Sequence, residues 1–134
     1  MAEKILLEIV TPERKVLSET VDIVVAPGEL GEFGVLPGHI PFLCKLKIGE
    51  LRYRSGAATV HVAIMGGYAE VLNNQVTILA VAAEAATEID VIRARAARER
   101  AERRIAESRD KIEFAWAQAA LQRAMARLKV AGRQ

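Results

Sequence analysis

The stretch IDVIRARAARERAERR, residues 89–104, marks the point at which this 134-residue chain changes from one kind of sequence to another. Before it the chain is rich in valine and is often interrupted by glycine and proline, which is typical of short strands and turns. From residue 89 onward alanine, arginine and glutamate predominate, and Gly132 is the only glycine or proline. The sequence therefore predicts two units, residues 1–86 built from strands and residues 87–134 built from helices.

Alternating apolar side chains predict the strands of the first unit. Ile5, Leu7 and Ile9 share one face of the first predicted strand, and similar alternation recurs along the chain. The predicted strands cover residues 4–10, 15–17, 21–26, 42–48, 51–54, 59–65, 68–72 and 76–81. With very short strands expected within residues 27–41, this makes about ten short strands, the pattern of a β-sandwich or barrel.

Glycine and asparagine separate several of these strands. Gly49-Glu50 and Asn73-Asn74 are predicted to be turns, since glycine and asparagine tolerate positive φ. Gly66-Gly67 predicts a bulge or a close approach of two backbones.

Two helices are predicted in the second unit. Thr87 is predicted to cap a helix over residues 88–106, and a break at residues 107–110 precedes a second helix that ends near Val130. The predicted inner faces, which share three- and four-residue spacing, are Ala94, Ala97, Ala101 and Ile105, then Phe114, Ala117, Leu121, Met125 and Leu128. They predict an antiparallel hairpin. Trp116, which is outside these faces, is interpreted as a packing residue, and the alternative is a contact made when the hairpin is extended. The alanine-lined interface of the hairpin is weakly stabilised, which suggests that the hairpin can open.

The charge is unevenly divided between the two units. Residues 1–86 contain 7 basic and 10 acidic side chains, a net charge of −3, whereas residues 87–134 contain 12 and 7, a net charge of +5. The second unit should therefore meet an acidic or phosphate-bearing partner. No apolar run approaches the roughly 20 residues of a membrane helix, and residues 1–4 begin no signal peptide. The single cysteine, Cys44, fits a reducing compartment.

Three motifs carry a resemblance to a known family. They are the loop PGELGEFGVLPGHIP at 27–41, the segment GGYAEVLNNQVTILA at 66–80, and IDVIRA at 89–94. In this order the chain resembles, over its whole length, the epsilon subunits of bacterial F-type ATP synthases. The resemblance implies a β-sandwich followed by a two-helix hairpin.

The resemblance also implies a function. In that family the sandwich docks on the gamma subunit and on the ring of membrane c subunits, as part of the rotor that couples the head to proton flow. The hairpin lies folded on the sandwich or extends into the catalytic head, where it meets the beta and alpha subunits and blocks ATP hydrolysis. The chain is expected to be a non-catalytic subunit without a required cofactor. It should lie at the cytoplasmic face of the bacterial inner membrane, attached only through the complex.

Some family members bind ATP as a regulatory ligand in the folded state. The positions carried over to this sequence by that resemblance are Glu84, Ile89, Asp90, Arg93, Ala94, Arg100, Arg123 and Arg127. Several arginines on one face favour an anion among them. A simpler interpretation is that Asp90 and Arg93 form a capped helix start with an ion pair three residues apart.

Partner contacts are also predicted from the resemblance. Glu32, at the exposed tip of the loop, is a candidate contact to the c ring, or a solvated carboxylate, and His39 is a candidate contact to gamma. Arg103, Arg104, Arg109 and Arg123 are candidate contacts to an acidic segment of the catalytic beta subunit.

Other functional classes find weaker support in the residues. Twelve basic side chains in the second unit permit a nucleic-acid-binding module, but seven acidic side chains are interleaved and aromatic residues are scarce. No nucleophile or acid accompanies His39, and no metal-ligand spacing surrounds His61 or Cys44. The glycines at 28, 31 and 34 lack the spacing of a dinucleotide-binding loop, and the prolines at 37 and 41 prevent the helix that would follow. We therefore predict neither an enzyme nor a metal protein.

Overall fold

A computed structural model describes residues 3–133, which form eight β-strands, one 3₁₀ turn and two α-helices. Met1, Ala2 and Gln134 lie outside the described residues. The predicted units 1–86 and 87–134 each extend into these residues, and so does the segment 1–4 that was considered as a signal peptide. Those parts of the predictions are not described by the structure.

The strands form one continuous hydrogen-bonded ladder. They are β1 (Ile5–Val10), β2 (Lys15–Val21), β3 (Ile23–Gly28), β4 (Gly31–Val35), β5 (Phe42–Ser55), β6 (Ala58–Leu72), β7 (Gln75–Ala80) and β8 (Ala83–Ala85). Their order is β2-β1-β7-β6-β5-β3-β4, and β8 pairs with β6. β1 and β7 run parallel, whereas the other pairs are antiparallel. Tyr53 in β5 donates a hydrogen bond to Glu19 in β2 over 3.1 Å, which ties distant strands of the ladder together.

Two long strands replace four of the predicted short ones. β5 has 14 residues and β6 has 15, so the predicted turn at Gly49-Glu50 is wrong. Gly49 lies within β5 opposite Ile64, and a Cβ atom there would lie 3.0 Å from Cβ of Pro27. This glycine therefore permits close packing within a strand. In the sequence alone, a glycine with this role looks the same as a glycine in a turn.

Two of the other predictions about strand connections are confirmed. Asn73 and Asn74 have φ values of 50° and 58° in the turn between β6 and β7. Gly67 has a φ of 134°, and a Cβ atom at this position would lie 2.0 Å from the carbonyl oxygen of Leu79. Gly67 thus allows β6 and β7 to approach closely.

The main core lies inside the sandwich. Ile5, Leu7 and Ile9 are fully buried there, as the alternation predicted, and so is Leu51. All residues of this cluster lie between residues 5 and 83. The sandwich therefore has a core that takes no side chain from the helices.

The first helix begins later than predicted, whereas the second begins directly after the predicted break at residues 107–110. A 3₁₀ turn covers Ala86–Glu88, α1 covers Val91–Glu107, and α2 covers Lys111–Ala131. Thr87 is therefore not the helix cap; Asp90 is, and its carboxylate accepts the N–H of Arg93 over 3.0 Å. The physical reason is that residues 83–85 still pair with β6, so the chain must turn before a helix can start.

The inner face of α1 agrees with the prediction, whereas that of α2 agrees only at Ala117, which is buried, and at Leu121 and Leu128, which are half-buried. Ala94 and Ala101 are buried in α1. In α2 the buried residues are Ala117, Ala124, Ala126 and Val130. Trp116 is 73% exposed, and Phe114 and Met125 are also exposed, so the interpretation of Trp116 as a packing residue is wrong. Two helices in close contact accept small side chains between them and leave large ones outside.

The hairpin docks on the sandwich through the end of α2. Val130 is fully buried in a second, smaller cluster with Ala63 and Met65 of β6 and with Ile89. Among the described residues, neither helix combines the length and the apolar character that crossing a bilayer requires.

Candidate functional site

A cleft of about 340 Å³ lies between the two helices and the segment that connects them to the sandwich. Seven of the eight positions predicted to bind ATP line it: Glu84, Asp90, Arg93, Ala94, Arg100, Arg123 and Arg127. The eighth, Ile89, is 8% exposed and packs with Met65 and Val130 instead. The folded hairpin thus brings most of the predicted positions from three separate segments to one cavity.

Helix geometry explains why these side chains converge. Positions 93, 97, 100 and 104 recur on one face of α1, and positions 120, 123 and 127 do so on α2. The small side chains of Ala97 and Ala120 leave space between the helices, and the longer arginines surround that space. The cleft is therefore a direct consequence of the alanine-arginine pattern.

The positive side of the cleft is largely uncompensated. Within residues 3–133, no carboxylate lies at ion-pair distance from the guanidinium groups of four cleft residues: Arg93, Arg100, Arg104 and Arg123. Arginine forms planar, bidentate hydrogen bonds with phosphate or carboxylate. An anion with several oxygens is the ligand that this arrangement suits.

The carboxylates of the cleft already have partners within the chain. The single Nε–H of Arg127 is shared between the two carboxylate oxygens of Glu84, which lie 2.5 and 3.2 Å from Nε. Glu88 pairs with Arg14 of the sandwich over 2.9 Å and also accepts the N–H of Ala85. The alternative ion pair between Asp90 and Arg93 does not form, because the Asp90 carboxylate faces the backbone of the first turn. The segment that contains Glu84 and Glu88 is thus held by charged contacts to Arg127 and Arg14.

Sequence reasoning missed part of the lining. Glu88, Ala97, Ala101 and Ala120 also line the cleft, and so does Arg104, which was predicted only as a partner contact. The three- and four-residue spacing from Arg93 to Arg104 was the available signal. A second cavity of about 450 Å³ shares Arg104, Ala120 and Arg123 with the cleft and is lined at its far end by Trp116.

Apart from the arginines that line the cleft, the predicted partner-contact residues lie elsewhere on the surface. Glu32 is in β4 and pairs with Arg52 over 2.9 Å, so it is not at the loop tip; Leu30 occupies the tip and is fully exposed. His39 packs edge-on against Phe42 at 5.9 Å between ring centroids. Arg103 and Arg109 are exposed on the hairpin.

Cys44 and His61 lie in the sandwich. Burial raises the pKa of the Cys44 thiol. Nδ1 of His61 lies 3.2 Å from a carboxylate oxygen of Glu50. Within residues 3–133, no group of three or more His, Cys, Asp and Glu side chains is arranged to hold a metal ion.

The fold and the cleft define a class of protein in which a rigid β-sandwich carries a separately packed helical hairpin. Residues 4–86 match the family described as ATP synthase, Delta/Epsilon chain, beta-sandwich domain. Residues 87–132 match its long alpha-helix domain. The chain therefore belongs to the ATP synthase delta/epsilon family, and the resemblance seen in its motifs is confirmed.

Relatives and solved structures agree with this assignment. The chain is 79% identical over 131 residues to the ATP synthase epsilon chain of Syntrophobacter fumaroxidans, covering 98% of each chain. It is 57% identical over 132 residues to the ATP synthase epsilon chain of Nitratidesulfovibrio vulgaris, again covering 98% of each.

A chain in the OSCP/F1/c-ring structure of Euglena gracilis mitochondrial ATP synthase superposes with a TM-score of 0.82 at 28% identity, over 96% of this chain and 81% of that one. A chain from the central stalk and c ring of the Tetrahymena thermophila enzyme shares the fold, with a TM-score of 0.63 at 15% identity over 98% and 96%. The epsilon-subunit prediction, rather than the nucleic-acid alternative, is the one that these findings confirm.

Proposed function

We propose that this chain is a central-stalk subunit of an ATP synthase whose sandwich joins the rotor and whose hairpin restrains ATP hydrolysis. Its partners are the gamma subunit, the ring of c subunits and the catalytic beta and alpha subunits. Large apolar side chains exposed on the sandwich, among them Leu43, Tyr68 and Leu79, support a protein partner there. Through this complex the chain takes part in ATP synthesis and proton transport.

The restraint on hydrolysis follows from the unequal attachment of the two helices. α2 contacts the sandwich through its last turns, around Val130, while the contact between α1 and α2 is lined by alanine. Such a hairpin can leave the sandwich without exposing the main core. The exposed Trp116 and Phe114 would then be available to the catalytic head.

ATP is the proposed regulatory ligand of the cleft. The single observation that carries this proposal is the set of four cleft arginines that form no ion pair within residues 3–133, which matches the several negative charges of a nucleoside triphosphate. ATP held between α1, α2 and the Glu84 segment would stabilise the folded hairpin, since a ligand favours the state that it binds.

The subunit is proposed to contribute no catalytic group of its own. It is a part of the complex other than the catalytic subunit, and it requires no cofactor for its role in the rotor. Its proposed location is the cytoplasmic face of the bacterial inner membrane, where it is held through the complex.

The restraint is tested with a bacterial catalytic head depleted of its epsilon subunit. ATP hydrolysis is measured with the full chain and with a version that ends at Ala86, which keeps every residue of the main core. Inhibition by the full chain alone is expected. Equal inhibition by both would place the restraint in the sandwich, and inhibition by neither would refute the proposed restraint.

Nucleotide binding is tested on the full isolated chain by calorimetry and by the fluorescence of its single tryptophan, Trp116. Arg93→Gln and Arg123→Gln should each weaken ATP binding at least about tenfold, because each removes a charge-assisted contact. Arg95→Gln, on an exposed position of α1 outside the cleft, is the matched control. Equal affinities in all three variants would reject the cleft as the ATP site.

A further inference from the structure

A buried carboxylate lies under the end of the hairpin, away from the cleft. Glu50 is 6% exposed and is the one charged residue counted as buried between residues 3 and 133. It lies in the middle of β5, opposite Ala63 of β6, on the surface where α2 docks. Burying a carboxylate is costly unless a cation or hydrogen-bond donor compensates it. The partner of Glu50 is therefore important for the docked state.

The side chain that donates a hydrogen bond to Glu50 comes from the hairpin. Nε of Arg133 donates a hydrogen bond to Oε2 of Glu50 over 3.2 Å. Nδ1 of His61 lies 3.2 Å from the same oxygen but is not aligned for a hydrogen bond. Among the described side chains, Arg133 is thus the one that donates to Glu50.

The backbone holds Arg133 firmly to the end of α2. Gly132 donates its N–H to Leu128 over 3.0 Å, and Arg133 donates its N–H to Val130 over 3.0 Å. Val130, one turn before, is fully buried against Ala63 and Met65. The guanidinium group of Arg133 must therefore arrive at and leave Glu50 together with α2.

We propose that Glu50 and Arg133 form a latch that holds the folded hairpin on the sandwich without any nucleotide. The two residues are 83 positions apart, in different units, and neither lines the arginine cleft. When the hairpin lifts, Glu50 becomes solvated and Arg133 loses its partner, so the contact exists only in the docked state. The latch sets the equilibrium between the docked and the lifted hairpin, and a ligand in the cleft then shifts that equilibrium. This inference rests on the proposed movement of the hairpin.

The latch is tested by the rate at which a thiol beneath the hairpin reacts. In a full-length Cys44→Ser background, Met65→Cys places a cysteine at a position that is 5% exposed in the docking cluster. Its modification by a thiol reagent requires the hairpin to lift, so the rate measures the undocked fraction however small it is. A parallel Ala69→Cys reporter, in the sandwich core, measures global unfolding.

Arg133→Gln and Glu50→Gln should each raise the Met65→Cys reaction rate about tenfold, because each removes a charge-assisted hydrogen bond. The double variant should react no faster than the faster single variant, since both remove one contact. Lys129→Gln, which removes an exposed positive charge from the same end of α2, should leave the rate unchanged. The Ala69→Cys rate should be the same in every background.

Two results would overturn the latch. One is an Arg133→Gln rate equal to that of Lys129→Gln; the other is an additive effect in the double variant. The measurement uses neither nucleotide nor catalytic head. A failure of the proposed restraint on hydrolysis, or of ATP binding, is therefore seen separately and does not alter this outcome.

Discussion

The sandwich and the hairpin of this chain are stabilised by different kinds of contact. Of the largest fully buried side chains, all lie in the sandwich except Val130. The helices bury mainly alanine against each other, so each contact removes less apolar surface from water. Charged contacts then join the hairpin to the sandwich, at Glu84, Glu88 and Glu50. The two halves therefore differ in the apolar surface that holds each of them together.

The largest expected effect would test this difference in core stability. Leu7→Ala should lower the free energy of unfolding by about 2–5 kcal/mol, because it leaves a cavity at a fully buried position. Leu128→Ala, at a partly exposed position of α2, should cost clearly less. Chemical denaturation followed by circular dichroism measures both. Equal losses would mean that the hairpin is as tightly packed as the sandwich.

A second prediction concerns the backbone of the sandwich. Gly67→Ala should destabilise the chain by more than about 1 kcal/mol, because its Cβ atom would lie 2.0 Å from a backbone oxygen of β7. Gly34→Ala is the control, since the nearest atom to a Cβ there is 4.0 Å away. The comparison is made by thermal unfolding, and similar midpoints would contradict the close approach of β6 and β7.

A third prediction concerns the start of the hairpin. Asp90→Ala should cost about 1 kcal/mol, because it removes the side chain that caps α1. Thr87→Ala should have little effect, although its sequence context favoured it as the cap. Hydrogen exchange at the amide of Arg93 measures the difference directly. Faster exchange in Thr87→Ala than in Asp90→Ala would show that the cap is wrongly assigned.

The smallest expected effect appears only at alkaline pH. Burial, the hydrogen bond to Glu19 and the charge of Glu19 raise the pKa of Tyr53 from 10.0 to about 12. A raised pKa means that the folded state favours the neutral phenol. This contribution to stability is complete below pH 10 and is lost as the pH rises toward about 12. Tyr53→Phe should therefore flatten the fall in sandwich stability over this range.

Urea denaturation at several alkaline pH values measures that slope. Tyr68→Phe, at a position that is 53% exposed, is the control. If stability falls with pH equally steeply in Tyr53→Phe and in the unmodified chain, ionisation of the Tyr53 phenol is not the cause of that fall.

The sequence correctly predicted those structural features that depend on interactions between neighbouring residues. The alternation of Ile5, Leu7 and Ile9 identified a buried strand face, and Asn73-Asn74 identified a turn, because both depend on neighbouring residues. The predicted turn at Gly49 was wrong, because a glycine that packs against Pro27 of another strand looks like a turn glycine in the sequence. The prediction that Trp116 is a packing residue was wrong for a similar reason, because the spacing along α2 does not show how closely α1 approaches it.

The candidate cleft was only partly visible in the sequence. Its predicted positions came from the family resemblance, whereas Glu88 and the wider role of Arg104 emerged when the two helices were placed side by side. Spacing along one helix shows which side chains share a face. It does not show which face of another segment lies opposite.

By itself, the sequence determined the two-part architecture, the main strand faces, the family and most of the residues around the cleft. Tertiary structure alone decided that β5 and β6 run through as long strands, that Trp116 lies outside, and that Glu50 meets Arg133. The physical reason is the range of each interaction. Strand alternation, helix periodicity and turn preferences act over a few residues, whereas the partner of a buried charge is selected by packing between segments far apart in the chain.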